Sequence, residues 1–184
     1  TYDYIFYLNT LVLFIEEYTG DDIYVEGDSV KFGRLKIVYL LEESFTEYFP
    51  LFDGDFWNIH MSGEGDTAYF GAYKSNHLKN VFKYTGSLGN VGIGSSFGTS
   101  SGTGATDLIV GNASSPGLIQ EVRAHWGEVL SDDTLTKHAL EPYMYAGNTI
   151  SSSYNNLLIR LPLGSTNVET FENHIPNPNL IHSN

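Results

Sequence analysis

Residues 107–142 read DLIVGNASSPGLIQEVRAHWGEVLSDDTLTKHALEP, and this stretch decides the predicted fold. It holds an apolar segment, a turn rich in Gly, Asn, Ser and Pro, and a second segment in which apolar and polar residues alternate. The apolar positions of the second segment are Leu118, Ile119, Val122 and Trp126, and its polar positions are Gln120, Glu121, Arg123 and His125. Such alternation is typical of a half-buried β-strand, so the sequence predicts two strands joined by a turn.

A short helix is predicted directly after these strands. Ser131 is a favourable helix N-cap, and Asp132 and Asp133 place two acids in the first turn, where the helix dipole is positive. Pro142 disfavours helical backbone at the residue before it. We therefore expect one short helix near residues 132–140.

The glycine turn followed by IQEVRAHWGEVLSDDTLTKHALEP resembles the closing segment of laminin-G-like (concanavalin A-like) jelly-roll domains, where a strand precedes the letters LSD and a short helix. Residues 51–61, LFDGDFWNIHM, look like the Asp-Gly-x-x-Trp strand of that family, and residues 90–94, NVGIG, fit the strand before the closing one. The resemblance covers most of residues 30–145. It implies an all-β fold, an antiparallel β-sandwich of the jelly-roll type with one short helix near 132–140.

The chain is predicted to divide into a laminin-G-like jelly-roll domain over residues 1–145 and a C-terminal part over residues 146–184. Its 13 Tyr, 11 Phe and 19 Gly suit strands joined by tight turns. In the C-terminal part, residues 156–164 predict one more strand, and Pro176 and Pro178 indicate an extended arm or the start of a following domain. Because the sequence starts at Thr1 without methionine, we expect a piece of a longer polypeptide.

The charge balance argues against two classes of partner. Nine basic and 22 acidic residues give a formal net charge of −13, which repels nucleic-acid phosphates and anionic membrane surfaces. The apolar run at residues 11–15 is too short to span a bilayer, so no membrane insertion is expected. The chain has no cysteine, which excludes disulfides and thiolate metal sites.

Four aromatic residues are candidates for glycan binding, since aromatic faces stack on sugar rings and the resembled fold often carries lectin activity. They are Tyr69, Tyr73, Tyr84 and Trp126. The Gly/Ser/Thr-rich segment at residues 94–104 is expected to be a surface loop that could join such a site. The alternative is that strand aromatics belong to the core or to cross-strand pairs.

Three acids are candidates for a calcium site, which would make calcium the one cofactor that the sequence leaves open. Asp53, Asp55 and Asp66 lie in acidic turns whose oxygens suit this hard cation, and the resembled family often binds calcium at a loop rim. The alternative is that the Asp-Gly pair reflects turn geometry alone.

The sequence does not predict an enzyme. Glycoside hydrolysis needs two carboxylates at a defined separation, and the related glucanases carry them in a Glu-x-Asp-x-x-Glu strand. Here the nearest strand acids, Glu121 and Glu128, are seven positions apart with no acid between them. The six His form no zinc motif, and no phosphate-binding or nucleophile-elbow motif occurs.

We therefore predict a non-enzymatic structural or adhesion module of a larger assembly, with other copies or other subunits as partners. The stretches LEPYMYAGN and LLIRLPLG resemble the segments found after such domains in phage and large-virus structural proteins, which implies a capsid-surface or tail protein on a virion or extracellular surface. The alternative is a lectin-like module that recognises a host or matrix glycan.

Overall fold

The computed structural model describes residues 3–8, 11–21, 23–25, 28–91, 108–110, 121–125 and 127–162. Its strands are β1 (Asp3–Leu8), β2 (Leu11–Glu17), β3 (Ile23–Val25), β4 (Asp28–Val30), β5 (Gly33–Tyr39), β6 (Glu42–Phe45), β7 (Asn58–Glu64), β8 (Thr67–Ser75), β9 (Val81–Leu88), β10 (Leu108–Val110), β11 (Glu121–His125) and β12 (Leu157–Pro162). Its helices are α1 (Asp132–Leu140) and α2 (Ile150–Asn155). The strand pairs with a defined register are antiparallel, which confirms the predicted β-rich, antiparallel class.

The chain separates into two compact units. The first comprises residues 1–76 and 82–115, and the second comprises residues 77–81 and 116–184. This grouping joins β11 and α1 to the residues after 145, whereas the sequence analysis placed a division between residues 145 and 146. The physical reason is the pairing of β11 with β12, which ties the two stretches together along five residue pairs.

The first unit contains a five-stranded sheet in the order β10-β1-β2-β5-β6. In the neighbouring strands β2 and β5, alternate residues are fully buried. They are Leu11 and Leu13 in β2, and Leu35 and Ile37 in β5. Leu13 lies directly opposite Ile37 in the register, so one face of the sheet carries a continuous apolar surface.

A three-stranded sheet in the order β7-β8-β9 belongs to the same unit. β7 and β8 form a hairpin, in which Asn58 pairs with Tyr73 and Glu64 with Thr67 around a two-residue turn. Gly65 has φ +58 in that turn, a conformation that glycine adopts without strain.

Apolar side chains from both sheets form one buried cluster. It contains Leu11, Leu13, Leu35, Ile37, Phe49, Leu51, Ala68, Phe70, Ala72, Leu88 and Val91. At its margin Phe49 stacks on Tyr84 with ring centroids 4.5 Å apart, and Trp57 packs against both rings. This cluster is the hydrophobic core of the first unit.

Two elements were not predicted. Strand β6, Glu42–Phe45, is rich in polar residues and is held by its pairing with β5. Helix α2 comes after the one short helix that the sequence predicted. The helix predicted near 132–140 is confirmed as α1, and the side chain of Ser131 accepts a hydrogen bond from the backbone N–H of Thr134, as expected of an N-cap.

Several predicted features lie outside the described residues. They are Trp126, the loop at residues 94–104 and the extended arm after residue 162. Among the residues that the structure does describe, no helix has the length and apolar character needed to cross a membrane.

Candidate functional site

The three candidate glycan-binding aromatics that the structure describes do not form a common exposed platform. Tyr69 is 39% exposed on β8, whereas Tyr73, on the same face of that strand, is only 3% exposed and contacts the ring of His60 edge-on at 5.3 Å. Tyr84 stacks on Phe49 at the margin of the core, and burial raises the pKa of its hydroxyl. Tyr73 and Tyr84 therefore make packing contacts, which is the alternative that the sequence left open.

Of the three candidate calcium ligands, Asp53 and Asp55 lie together and Asp66 lies apart from them. The Nζ of Lys74 lies 2.5 Å from Oδ2 of Asp53 and 2.6 Å from Oδ2 of Asp55, so a lysine ammonium already occupies the point where these carboxylates converge. Burial lowers the pKa of Lys74, but the hydrogen bonds and charges of the two carboxylates outweigh it and raise that pKa overall. Asp66 lies in the turn at the opposite end of the β7–β8 hairpin, about 20 Å away along the strand.

Asp53 has two further structural contacts. Its Oδ1 accepts hydrogen bonds from the backbone N–H of Asp55 at 3.1 Å and from Nε1 of Trp57 at 3.4 Å. These hydrogen bonds fix the conformation of the Asp-Gly-x-x-Trp stretch, residues 53–57, directly before β7. In the described part of the chain, no group of three or more His, Cys, Asp or Glu side chains could hold a metal ion.

The second unit contains a candidate site that is built on the polar face of β11. Glu121, Arg123 and His125 occupy alternate positions of this strand and share a face, while Val122 is buried on the other. The register places Arg160 of β12 directly opposite Arg123. Two guanidinium groups therefore lie side by side on this face.

Glu121 compensates for the two positive charges. Its Oε1 lies 3.2 Å from Nε of Arg123 and 2.9 Å from Nε of Arg160, and its Oε2 accepts a bond of 3.5 Å from Nη2 of Arg160. The carboxylate is only 4% exposed. Burial lowers the pKa of Arg123 and the neighbouring carboxylate of Glu121 opposes this change, so the three side chains act as one charge-compensated group.

The remaining guanidinium donors hold the backbone of the loop after α1. Arg123 donates from Nη2 to the carbonyl oxygen of Pro142 at 2.9 Å and from Nη1 to that of Met144. Arg160 donates from Nη2 to the carbonyl oxygen of Tyr143 at 3.2 Å. Three successive carbonyls are thus fixed by two side chains that start from neighbouring strands.

Two histidines continue this pattern along the same loop. His125 donates from Nε2 to the carbonyl oxygen of Tyr145 at 3.3 Å, and His138 donates from Nε2 to that of Ala146 at 2.8 Å. Burial lowers the pKa of both rings, and for His138 burial and the nearby charge of Arg123 lower it to about 4. All five carbonyls of residues 142–146 therefore meet a side-chain N–H, and we call this segment the clamped loop.

The clamped loop forms one wall of an open groove with a volume of about 630 Å³. The groove is lined by residues 141–146, Ile150, Ser153 and Tyr154, and we call it the tyrosine groove. Tyr143 is 65% exposed, Tyr154 54% and Ile150 85%. A volume in this range suits a small ligand or a few inserted side chains.

The opposite wall of the tyrosine groove is also fixed. Helix α2 begins with a capping box, in which the side chain of Thr149 accepts from the backbone N–H of Ser152 and the side chain of Ser152 accepts from that of Thr149. Behind the groove, the guanidinium of Arg160 lies 4.7 Å from the ring centroid of Tyr145. Aromatic and apolar side chains are therefore presented on a rigid backbone.

The two strand acids considered for glycoside hydrolysis have structural contacts here. Both guanidinium groups of Arg123 and Arg160 bind the carboxylate of Glu121. Oε2 of Glu128 accepts a bond of 3.2 Å from the backbone N–H of Asn148, and its Oε1 packs against Gly147. Both acids therefore make contacts within the second unit.

The tyrosine groove was not among the predicted sites, although three tyrosines occur within the twelve residues 143–154. That density of aromatic residues beside Pro142 was the available signal. The partners of the clamped loop could not be found in this way, because Arg123 and Arg160 are far apart in the sequence and meet only through the β11–β12 pairing.

Comparison with known proteins gave no match: no protein-family model, no curated protein and no solved structure is similar to this chain.

Proposed function

We propose that this protein is a non-enzymatic structural or adhesion module of a larger assembly, and that it attaches through the tyrosine groove. The observation that carries the proposal is the contrast within residues 141–154. Five carbonyls are clamped from behind, while Tyr143, Ile150 and Tyr154 expose large apolar surface. Exposed apolar side chains on a rigid backbone are typical of binding sites, since little conformational entropy is lost on association.

The fold proposed for the first unit is a laminin-G-like sandwich of the jelly-roll type. Its support is the single apolar cluster to which both sheets contribute, together with the resemblance of residues 51–61 to that family. The same resemblance supports a capsid-surface or tail protein on a virion or extracellular surface.

A photocrosslinking experiment tests the attachment. A benzophenone amino acid replaces Ile150 in the groove or, as the control, the exposed Leu78 outside it, and each variant is irradiated within the native assembly. We expect a discrete crosslinked product from position 150 and none from position 78. Equal or absent crosslinking at the two positions would contradict attachment through the groove.

Carbohydrate binding is the second candidate function, and the exposed rings of Tyr143 and Tyr154 favour it. A glycan array probed with and without calcium tests it, with a Tyr143→Ala/Tyr154→Ala variant as the matched control. Binding that the double variant loses would assign the groove to a glycan. An array without signal, or a signal that the variant keeps, would count against this role.

A further inference from the structure

Two histidine rings lie next to each other at the clamped loop. The ring centroids of His125 and His138 are 6.2 Å apart, although one residue belongs to β11 and the other to α1. Each ring donates a hydrogen bond to the loop, His125 to the carbonyl oxygen of Tyr145 and His138 to that of Ala146. A pair of imidazole rings therefore holds two successive residues of one segment.

These hydrogen bonds define which nitrogen of each ring takes up a proton. A carbonyl oxygen only accepts, so Nε2 of each ring carries a hydrogen. Nδ1 is then the basic nitrogen of the neutral ring. Protonation at Nδ1 keeps both bonds to the loop and adds a full positive charge to each ring. Acid therefore changes the charge beside the loop while its hydrogen-bond donors stay the same.

The surroundings of the two rings are already positively charged. Arg123 and Arg160 donate to carbonyls of the same loop, and the single carboxylate of Glu121 binds both guanidinium groups. The charge of Arg123 acts on both histidine rings and opposes their protonation. A protonated ring at this place thus has a permanent positive charge as its neighbour.

The other elements that pack against the rings offer little compensation. Glu128, in the connection between β11 and α1, acts on His125 and favours its protonation. Residues 142–146 of the loop and residues 150–155 of α2 carry no charged side chain. The charged residues of α1 and of its C-cap are all exposed, and they are Asp132, Asp133, Lys137 and Glu141. Protonation of both rings therefore adds two positive charges, which Glu128 offsets only in part.

Burial makes these added charges costly. His138 is 4% exposed, and burial is the largest cause that lowers the pKa of each of the two rings. Displacement of the clamped loop exchanges its carbonyl acceptors for water and hydrates the rings together with both guanidinium groups. The strands β11 and β12 stay paired in this movement, because their backbone pairing does not involve the rings. Loop opening is therefore the smallest movement that hydrates the charges.

We propose that His125 and His138 form a pH switch, which holds the clamped loop at neutral pH and releases it when the rings take up protons. This inference rests on the proposed attachment function and names its regulation. Tyr143 and Tyr145 belong to the loop and line the tyrosine groove, so release removes one wall of the groove. Attachment through the groove is then maintained at neutral pH and lost in acid.

Hydrogen exchange of the full chain tests the switch without any partner. The N–H of Gly147, directly after the loop, bonds to Oγ of Ser153 at 2.9 Å, so a peptide over residues 142–148 reports loop opening. Its protection, corrected for the intrinsic exchange rate, should fall at least about tenfold between about pH 7.5 and about pH 4.5. Peptides from β11 and β12 should lose less protection than this peptide.

Glutamine variants separate the two histidines from other acid-sensitive groups. Glutamine keeps an N–H donor for the carbonyl and takes up no proton, so His125→Gln/His138→Gln should retain the protection of residues 142–148 in acid. The matched control is His77→Gln, an exposed histidine of the same unit, which should behave like the wild type. Each single variant is measured as well and should lose part of the pH response.

Two results of the exchange experiment would overturn the switch. One is an equal fall in the wild type and in the glutamine variants that are folded at neutral pH, which would assign the response to other groups. The other is an equal fall over β11 and β12, which would mean that acid unfolds the whole second unit.

Photocrosslinking at position 150 distinguishes the switch from the attachment itself. The native assembly that carries the benzophenone amino acid is irradiated at neutral and at acid pH. We expect the crosslinked product to be lost in acid and to persist when both histidines are replaced by glutamine. A product that persists in acid with both histidines present would overturn the regulation. A loop that opens in acid while position 150 gives no product at either pH would support the switch and contradict the attachment.

Discussion

Replacing Glu121 by Gln should destabilise the second unit, because this carboxylate compensates for two guanidinium groups. The substitution keeps the size of the side chain and removes its charge. Arg123 and Arg160 then lie directly opposite each other with no anion between them, although each keeps its bonds to the clamped loop. Breaking a buried ion pair costs about 3–5 kcal/mol. The guanidinium groups are 13% and 21% exposed, so we expect a smaller loss than for a fully buried pair, about 2–3 kcal/mol.

Hydrogen exchange followed by mass spectrometry measures this loss unit by unit. Peptides that cover β11 and β12 should lose protection by about 30- to 150-fold, since each 1.4 kcal/mol is a factor of ten. Peptides from β2 and β5 in the first unit serve as an internal reference and should not change. The matched variant is Glu17→Gln, whose carboxylate is 52% exposed and pairs with Lys31 at 3.1 Å. An exposed pair of this kind contributes at most about 1 kcal/mol.

Two results would refute this reasoning. One is a loss below about 1 kcal/mol in the second unit, which would mean that solvent compensates for the arginines as well as Glu121 does. The other is an equal loss of protection in the first unit, which would mean that the substitution acts on the whole chain.

Three further predictions concern pH, the aspartates before β7 and the β5–β6 turn. The folded-state pKa of His138 is lowered to about 4, so between pH 6.5 and pH 4 the unfolded chain binds a proton that the folded chain does not. The free energy of unfolding should therefore be unaffected by this residue above pH 6.5 and should fall by roughly 3 kcal/mol as the pH drops toward 4. Urea denaturation at several pH values measures this, and a His138→Gln variant that keeps the full slope relative to His77→Gln would contradict it. Asp53→Asn should lower the free energy of unfolding by about 2 kcal/mol, and the more exposed Asp55→Asn should lower it by under about 1 kcal/mol. Calcium should not change the melting temperature of either variant. A rise in melting temperature with calcium would support the metal site. Leu40 has φ +54 in the β5–β6 turn, so Leu40→Gly should raise stability by about 1 kcal/mol in the same assay, and a loss would refute strain at that turn.

Local signals in the sequence were sufficient for elements that depend on local physics. The burial of Leu35 and Ile37 in β5 follows directly from the alternation of apolar and polar residues in GRLKI. Helix α1 could be located because Ser131 is its N-cap and two acids come next. Gly65 and Asp66 are residue types that favour turns, in agreement with the hairpin that they connect.

Elements that depend on a partner could not be predicted in this way. The residues of β6, Glu-Glu-Ser-Phe, have no apolar alternation, and they form a strand because β5 offers them a pairing edge. The sequence of α2, ISSSYN, has weak helix propensity, and its start depends on the reciprocal bonds between Thr149 and Ser152. In both cases tertiary or capping contacts decide the structure, and propensity does not.

The candidate site illustrates the same limit for function. The alternation in residues 118–126 correctly indicated that Glu121, Arg123 and His125 share a polar face. It could not indicate that side chains on this face donate hydrogen bonds to the carbonyl oxygens of the clamped loop instead of to water. The arginine opposite, Arg160, becomes a neighbour only once the register of β11 and β12 is known.

The direct opposition of Arg123 and Arg160 links stability to the proposed function. Like charges at opposed positions of an antiparallel pair are destabilising, so this arrangement persists only because other contacts offset it. Glu121 removes most of the repulsion, and the remaining N–H groups find their acceptors in the clamped loop. The loop is therefore held in place by groups that would otherwise be costly to bury, and any movement of it would leave charged donors unpaired. This coupling gives the exposed tyrosines of the groove a fixed position, and a fixed position is what an attachment surface requires.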